Sequence, residues 1–177
     1  MRKAIFLLVA VLVLSVGAFA LADGTHKYVG VKKCAMCHKS EAKGNQHGKW
    51  LLTKHAKAFE TLATPAALET AKKAGVAGNP QEAPQCLKCH TAGYGADSSL
   101  FGEAFVKADG VQCEACHGAG GDYMSMSVMK DKAAAIAAGM VIPTKEVCVK
   151  CHNSESPNFT GFDFEKFYPE IAHPMPK

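Results

Sequence analysis

The sequence lacks most of the signals on which an enzyme of ordinary design rests. No phosphate-binding loop, no Ser–His–Asp arrangement and no paired acids accompany its other motifs, so hydrolysis and phosphoryl transfer have no residues to perform them. Strand signals are weak throughout, and no βαβ pattern is visible. The long apolar run, residues 5–16, is too short to span a bilayer as a helix. Neither charge sign dominates: 20 Lys and Arg stand against 16 Asp and Glu, a formal net charge of +4. The lysines are spread along the chain and read as a solvated surface, not as a nucleic-acid footprint.

What is present is one pattern, four times over. Cys-x-x-Cys-His occurs at Cys34/Cys37/His38, Cys86/Cys89/His90, Cys113/Cys116/His117 and Cys148/Cys151/His152, and it uses all eight cysteines. On a helical turn, residues i and i+3 share a face and i+4 lies beside them. Two thiols there can form thioethers to the two vinyl groups of one porphyrin, while the histidine becomes the proximal iron ligand. Zinc pairs or four disulfides are the plainer readings of eight cysteines, but neither has a reason to place histidine after every second cysteine. A thioredoxin-like motif would occur once, beside a βαβ unit. The pattern therefore predicts four covalently bound haem c groups.

Residues 1–22 read as a signal peptide. Arg2 and Lys3 give the positive start, the apolar run follows, and Ala18, Ala20 and Ala22 offer small-residue cleavage sites. Cleavage after Ala22 is preferred, with Ala20 as the competitor and an uncleaved anchor as the alternative. Residues 23–177 then form one tetrahaem domain, exported or periplasmic and bacterial, with no stable membrane insertion after cleavage. Loss of Arg2 and Lys3 brings the polypeptide near neutrality, and the haem propionates would make the loaded protein acidic. At about 40 residues per haem the chain is too thin to build a separate side-chain core. The expected fold is mainly α: short helices and loops wrapped around the porphyrins, with few or no strands.

Residues 46–62 make the best helix signal, with Leu51, Leu52, Phe59 and Leu62 on a face shared with His55. A histidine on such a face is usually a packed core residue. With four irons each needing a sixth ligand, His55 is expected as a distal ligand. His47 lies about two turns earlier on roughly the same face and is a further candidate, with a surface position as its alternative. A second helix is expected over residues 65–75. Met124, Met126 and Met129 follow the third motif; methionine can ligate haem iron, although such clusters more often pack. Asp131 opens a helix over 132–138 ended by Gly139, and Thr144 is a plausible N-cap for the fourth motif. The aromatic, proline-rich tail carries His173, and iron ligation explains a histidine in so stiff a terminus better than disorder does. His26 is the weakest of the candidates. The second and third motifs are the closest in sequence, which predicts neighbouring haems.

Cys34-Ala35-Met36-Cys37-His38, then Trp50 with His55-Ala56-Lys57-Ala58, then Cys86-Leu87-Lys88-Cys89-His90-Thr91-Ala92-Gly93-Tyr94-Gly95, then Gly110-Val111-Gln112-Cys113-Glu114-Ala115-Cys116-His117-Gly118 together resemble the cytochrome c554 family. The likeness runs over residues 28–152, and the order of the motifs is more specific than any one of them. The resemblance implies a periplasmic tetrahaem electron carrier, helical and haem-packed, with haems in stacked pairs and His55 as an axial ligand. It also implies a founding member that carries electrons from hydroxylamine oxidation toward quinone and leaves one iron five-coordinate. This sequence departs from the family after the third motif. Asp122-Tyr123-Met124-Ser125-Met126 stands where the founding type has a further histidine, which leaves one sixth ligand as methionine, a remote histidine or none.

The expected function is electron transfer between redox partners, other cytochromes or a membrane quinol oxidoreductase, by a non-enzyme that is a monomer or weak oligomer. Two alternatives differ in class. One is a small reductase binding a diatomic such as nitric oxide at an open iron. The other is a subunit of an extracellular cytochrome filament.

Overall fold

The computed structural model describes residues 26–175; the expected signal peptide, residues 1–22, lies outside them. Among the described residues the chain is helical, without a sheet. Its α-helices are α1 (Val31–His38), α2 (Gln46–Leu51), α3 (Ala58–Thr61), α4 (Pro65–Lys73), α5 (Pro84–His90), α6 (Cys113–His117), α7 (Met126–Met129), α8 (Lys132–Ala137), α9 (Lys145–Cys148) and α10 (Phe164–Ile171). None exceeds nine residues. The β pairing is one isolated parallel bridge between Tyr28 and Phe101. The mainly α expectation holds.

Helices this short are marginal alone, so tertiary contacts must hold them. The packed apolar interior is slight, with Val31, Leu62, Ala71, Leu87 and Ala135 among its members. The largest fully buried side chains are Gln112 and Pro80, one of them polar. Polar bonds do much of the work instead. Gln112 Oε1 accepts from Val31 N at 2.7 Å, and its Nε2 donates to the Val106 carbonyl at 3.2 Å. The Glu114 carboxylate, 2% exposed, accepts from Val29 N and Gly30 N at 2.8 Å and from Gly120 N at 2.7 Å. One side chain thus ties the segment before α1 to the loop after α6.

The capping signals behave as chemistry dictates. Thr64 accepts from Ala67 N with Pro65 opening α4, and Asp131 accepts from Ala133 N and Ala134 N at the start of α8. Thr144 occupies the N-cap of α9, but its hydroxyl turns to Glu146 Oε2 at 2.5 Å and leaves the backbone uncapped.

Two expectations are corrected. Residues 46–62 are not one helix: α2 and α3 are separated by turns over residues 52–57. Thr53 Oγ1 takes the Trp50 carbonyl at 2.7 Å, and the His55 carbonyl accepts from Val111 N at 3.1 Å. The helical ladder is interrupted where Thr53 takes the Trp50 carbonyl and the third-motif segment takes that of His55. The shared apolar face is lost as well, with Leu52 89% exposed and Leu62 5% exposed. In the tail, Phe164 and Tyr168 stack at 4.9 Å along α10, capped by Asp163, although Pro169 lies inside that helix.

Candidate haem centres

Each motif lies on a helical turn. Those of α1, α5 and α6 lie inside the helix. The fourth continues past α9, with Cys151 N and His152 N both donating to the Cys148 carbonyl. The i, i+3 thiols and the i+4 imidazole therefore present to one side in every case. The eight thiols form no disulfide.

The histidines test the fit to haem. His90 Nδ1 lies 2.7 Å from the Ala58 carbonyl, His117 Nδ1 3.0 Å from the Val141 carbonyl, and His38 Nδ1 3.3 Å from Gln46 Oε1. An oxygen of this kind can only accept, so Nδ1 carries the proton and Nε2 keeps the lone pair. That is the tautomer a metal-bound histidine adopts when its second nitrogen is hydrogen-bonded. His173, outside the motifs, is set the same way, with Nδ1 2.8 Å from the Ile171 carbonyl.

Two of the motif histidines face a second histidine. The rings of His152 and His55 are 6.0 Å apart between centroids, inclined by 77°. Those of His117 and His173 are also 6.0 Å apart, inclined by 65°. An iron held about 2 Å from each of two imidazole nitrogens puts the ring centroids at about this distance. Among the described residues, His38 and His90 have no histidine ring that close. The His47 ring lies 5.8 Å from that of Trp50, on α2.

His55 is held by more than its own turn. Trp50 Nε1 donates to the Val111 carbonyl at 2.9 Å, and Val111 N donates back to the His55 carbonyl. Gly110 makes this approach possible. Its φ is +72°, and a Cβ there would stand 2.9 Å from the His55 carbonyl oxygen. The spacing Trp50-x4-His55 is thus a clamp onto the entrance of the third motif. Sequence reasoning found these residues but missed Glu114 and Gln112, which sit beside and between motif cysteines and carry no signal of burial in their type.

The thiols report which motifs adjoin. Cys34 and Cys113 are hydrogen-bonded to each other, which pushes the Cys113 thiol up and brings that of Cys34 down. Burial pushes the Cys151 thiol up to about 12, with a further push from its neighbour Cys89. Cys116 lies near Cys148 and Cys151. A Lys88–Glu155 ion pair also joins the second and fourth motif segments. Contacts therefore link first to third, third to fourth and fourth to second. The flanks of the second and third motifs also meet, with Ala92 N donating to the Gly110 carbonyl at 3.0 Å.

Burial holds the imidazoles of His55, His117 and His152 below the ordinary histidine range, with His152 adding to the effect at His55. These side chains stay neutral and able to donate to a metal. The unfolded chain protonates them below about pH 6.5 while the folded chain resists, so the unfolded state binds more protons there. Stability is expected to be full above that pH and to fall on acidification. The denaturant midpoint should be lower at pH 5.5 than at pH 7.5; equal midpoints would contradict this account.

The family described as "Cytochrome c554 and c-prime" matches residues 33–118, a stretch holding three motifs, Trp50 and His55. Cytochrome c-554 of Nitrosomonas europaea is 30% identical over 166 aligned residues, taking in 81% of this chain. The chain spans 66% of the length of that relative. No solved structure matches. With the thiol and imidazole geometry suited to covalently bound haem c, and with these matches across the motifs, the chain belongs to the cytochrome c554 family.

Proposed function

We propose that the protein is an exported, periplasmic electron carrier that binds four haems c through its eight motif cysteines and relays electrons along them. The observation that carries this reading is the linked set of motif contacts, first–third–fourth–second, with a histidine pair at each of the two inner positions. His38, His90, His117 and His152 are the proximal ligands, and His55 and His173 are distal ligands of the fourth and third haems. Haem supplies the one-electron chemistry. The polypeptide fixes ligand identity, tautomer and separation, so little rearrangement accompanies a change of charge. Residues 1–22 act as the signal peptide, and the domain from residue 23 meets other cytochromes or a quinol oxidoreductase as a monomer or weak oligomer.

The alternative, a diatomic-binding reductase, requires one iron with an open sixth position, and among the described residues His90 has no second histidine ring at the 6.0 Å separation seen for His117 and His152. His173 faces His117 of its own chain, which favours the carrier over the filament, where a histidine must reach the next subunit.

Purified holoprotein should contain four haems per chain by pyridine haemochrome assay and intact mass. Its oxidised EPR spectrum should be dominated by low-spin signals. A high-spin ferric signal in the oxidised protein, together with an optical change when CO is added to the reduced protein, would show that one iron is open and favour the diatomic-binding reading. Fewer than four haems per chain would refute the tetrahaem reading.

A further inference from the structure

His26 lies on the segment leading into α1, where a histidine would ordinarily be solvated. Instead its ring is fixed on three sides. Its Nδ1 is hydrogen-bonded to the Asp122 carboxylate, and its side chain is 24% exposed. One ring face rests on Gly139, where a Cβ would come within 3.0 Å of Nε2, so no other residue allows the approach. The backbone beside it is stitched to the loop after α6, through Gly121 N to the Lys27 carbonyl at 2.8 Å and through the Glu114 carboxylate. A carboxylate can only accept from Nδ1, so the free lone pair is on Nε2. A histidine held by a carboxylate in this way is the usual arrangement of a metal ligand and its supporting group.

The iron it would serve follows by elimination. His55 and His173 are placed opposite His152 and His117. His38 and His90 remain. His90 is anchored to Ala58 of α3, on the side of the second and fourth motifs. His38 is on the other side: its motif touches the third through Cys34 and Cys113, and His38 acts electrostatically on His117. His26 is tied to that same third-motif loop. His47, the other unassigned histidine, follows Gln46, whose Oε1 takes the Nδ1 side of His38. Helix α2 is therefore on the proximal side of the first haem, and its residues would have to pass around the porphyrin to reach the opposite face.

We propose that His26 is the sixth ligand of the iron at the first motif, and that Asp122 is the positioning residue that fixes its tautomer. The assignment rests on the tetrahaem reading above.

The test uses full-length holoprotein carrying His26→Gly, His26→Met, Asp122→Asn or His47→Gly. In His26→Gly, one of the four irons is expected to become high-spin and CO-reactive when reduced, with four haems still bound. Added imidazole should restore the low-spin signal. His26→Met should instead give a methionine–iron charge-transfer band and raise one of four potentials. Asp122→Asn should keep four haems and their spin states but raise that same potential, since the imidazole loses a charged acceptor. His47→Gly should leave the spectrum unchanged. Unaltered spin states in His26→Gly together with no new band in His26→Met overturn the inference, as does the His26→Gly signature in His47→Gly. A haem count below four in the unsubstituted protein overturns the tetrahaem reading instead, so the two failures are distinguishable.

Discussion

Glu114→Ala is expected to destabilise the folded protein by roughly 3 kcal/mol or more, because three buried or part-buried N–H groups lose their acceptor at once and each orphaned group costs about 1–3 kcal/mol. Those groups are Val29 N, Gly30 N and Gly120 N. For a chain of this size the loss corresponds to a fall in melting temperature of roughly 10 °C. Glu114→Gln should be milder. Its amide oxygen can replace Oε1, which accepts from Val29 and Gly120, but its NH2 then meets the Gly30 N–H donor to donor. Thermal unfolding followed by circular dichroism ranks the three proteins. An alanine variant within about 1 kcal/mol of the unsubstituted protein would mean that water replaces the carboxylate.

His55→Ala is expected to remove the whole low-spin signal of one iron while leaving the backbone anchor intact. The anchor runs through the His55 carbonyl to Val111 N and through the Trp50 indole, neither of which the substitution touches. On the proposed ligation, the haem at His152 becomes five-coordinate and binds CO when reduced. His55→Met should keep it six-coordinate and raise its potential, as methionine does against histidine. The same spectra after His55→Ala as before would show that the 6.0 Å pairing of His55 with His152 does not bracket an iron.

Much of this was legible from residue types because the chemistry of a c-type centre is local. Two thiols and an imidazole at i, i+3 and i+4 need one helical turn, and a turn is what each motif supplies. His55 and His173 drew notice for a related reason, each being a histidine set where packing or order needed explaining, and each ring lies 6.0 Å from that of a motif histidine. The break between α2 and α3 was not legible. The apolar spacing of Leu51, Leu52, Phe59 and Leu62 mimics a helix face, whereas at the break the His55 carbonyl is taken by Val111, far along the chain. Helix α10 was hidden by Pro169, which lies inside the helix and lacks the N–H that would donate to the Glu165 carbonyl.

By itself the sequence determined the motifs and their chemistry, the helical class, and the set of histidines able to serve as ligands, since all of these follow from residue type and short-range spacing. Tertiary structure alone decided which motifs adjoin, which histidine faces which, and that a glutamate inside the third motif holds the leading segment in place. Those are long-range pairings. They depend on where loops close in space, and neither the periodicity nor the composition of any one stretch encodes that.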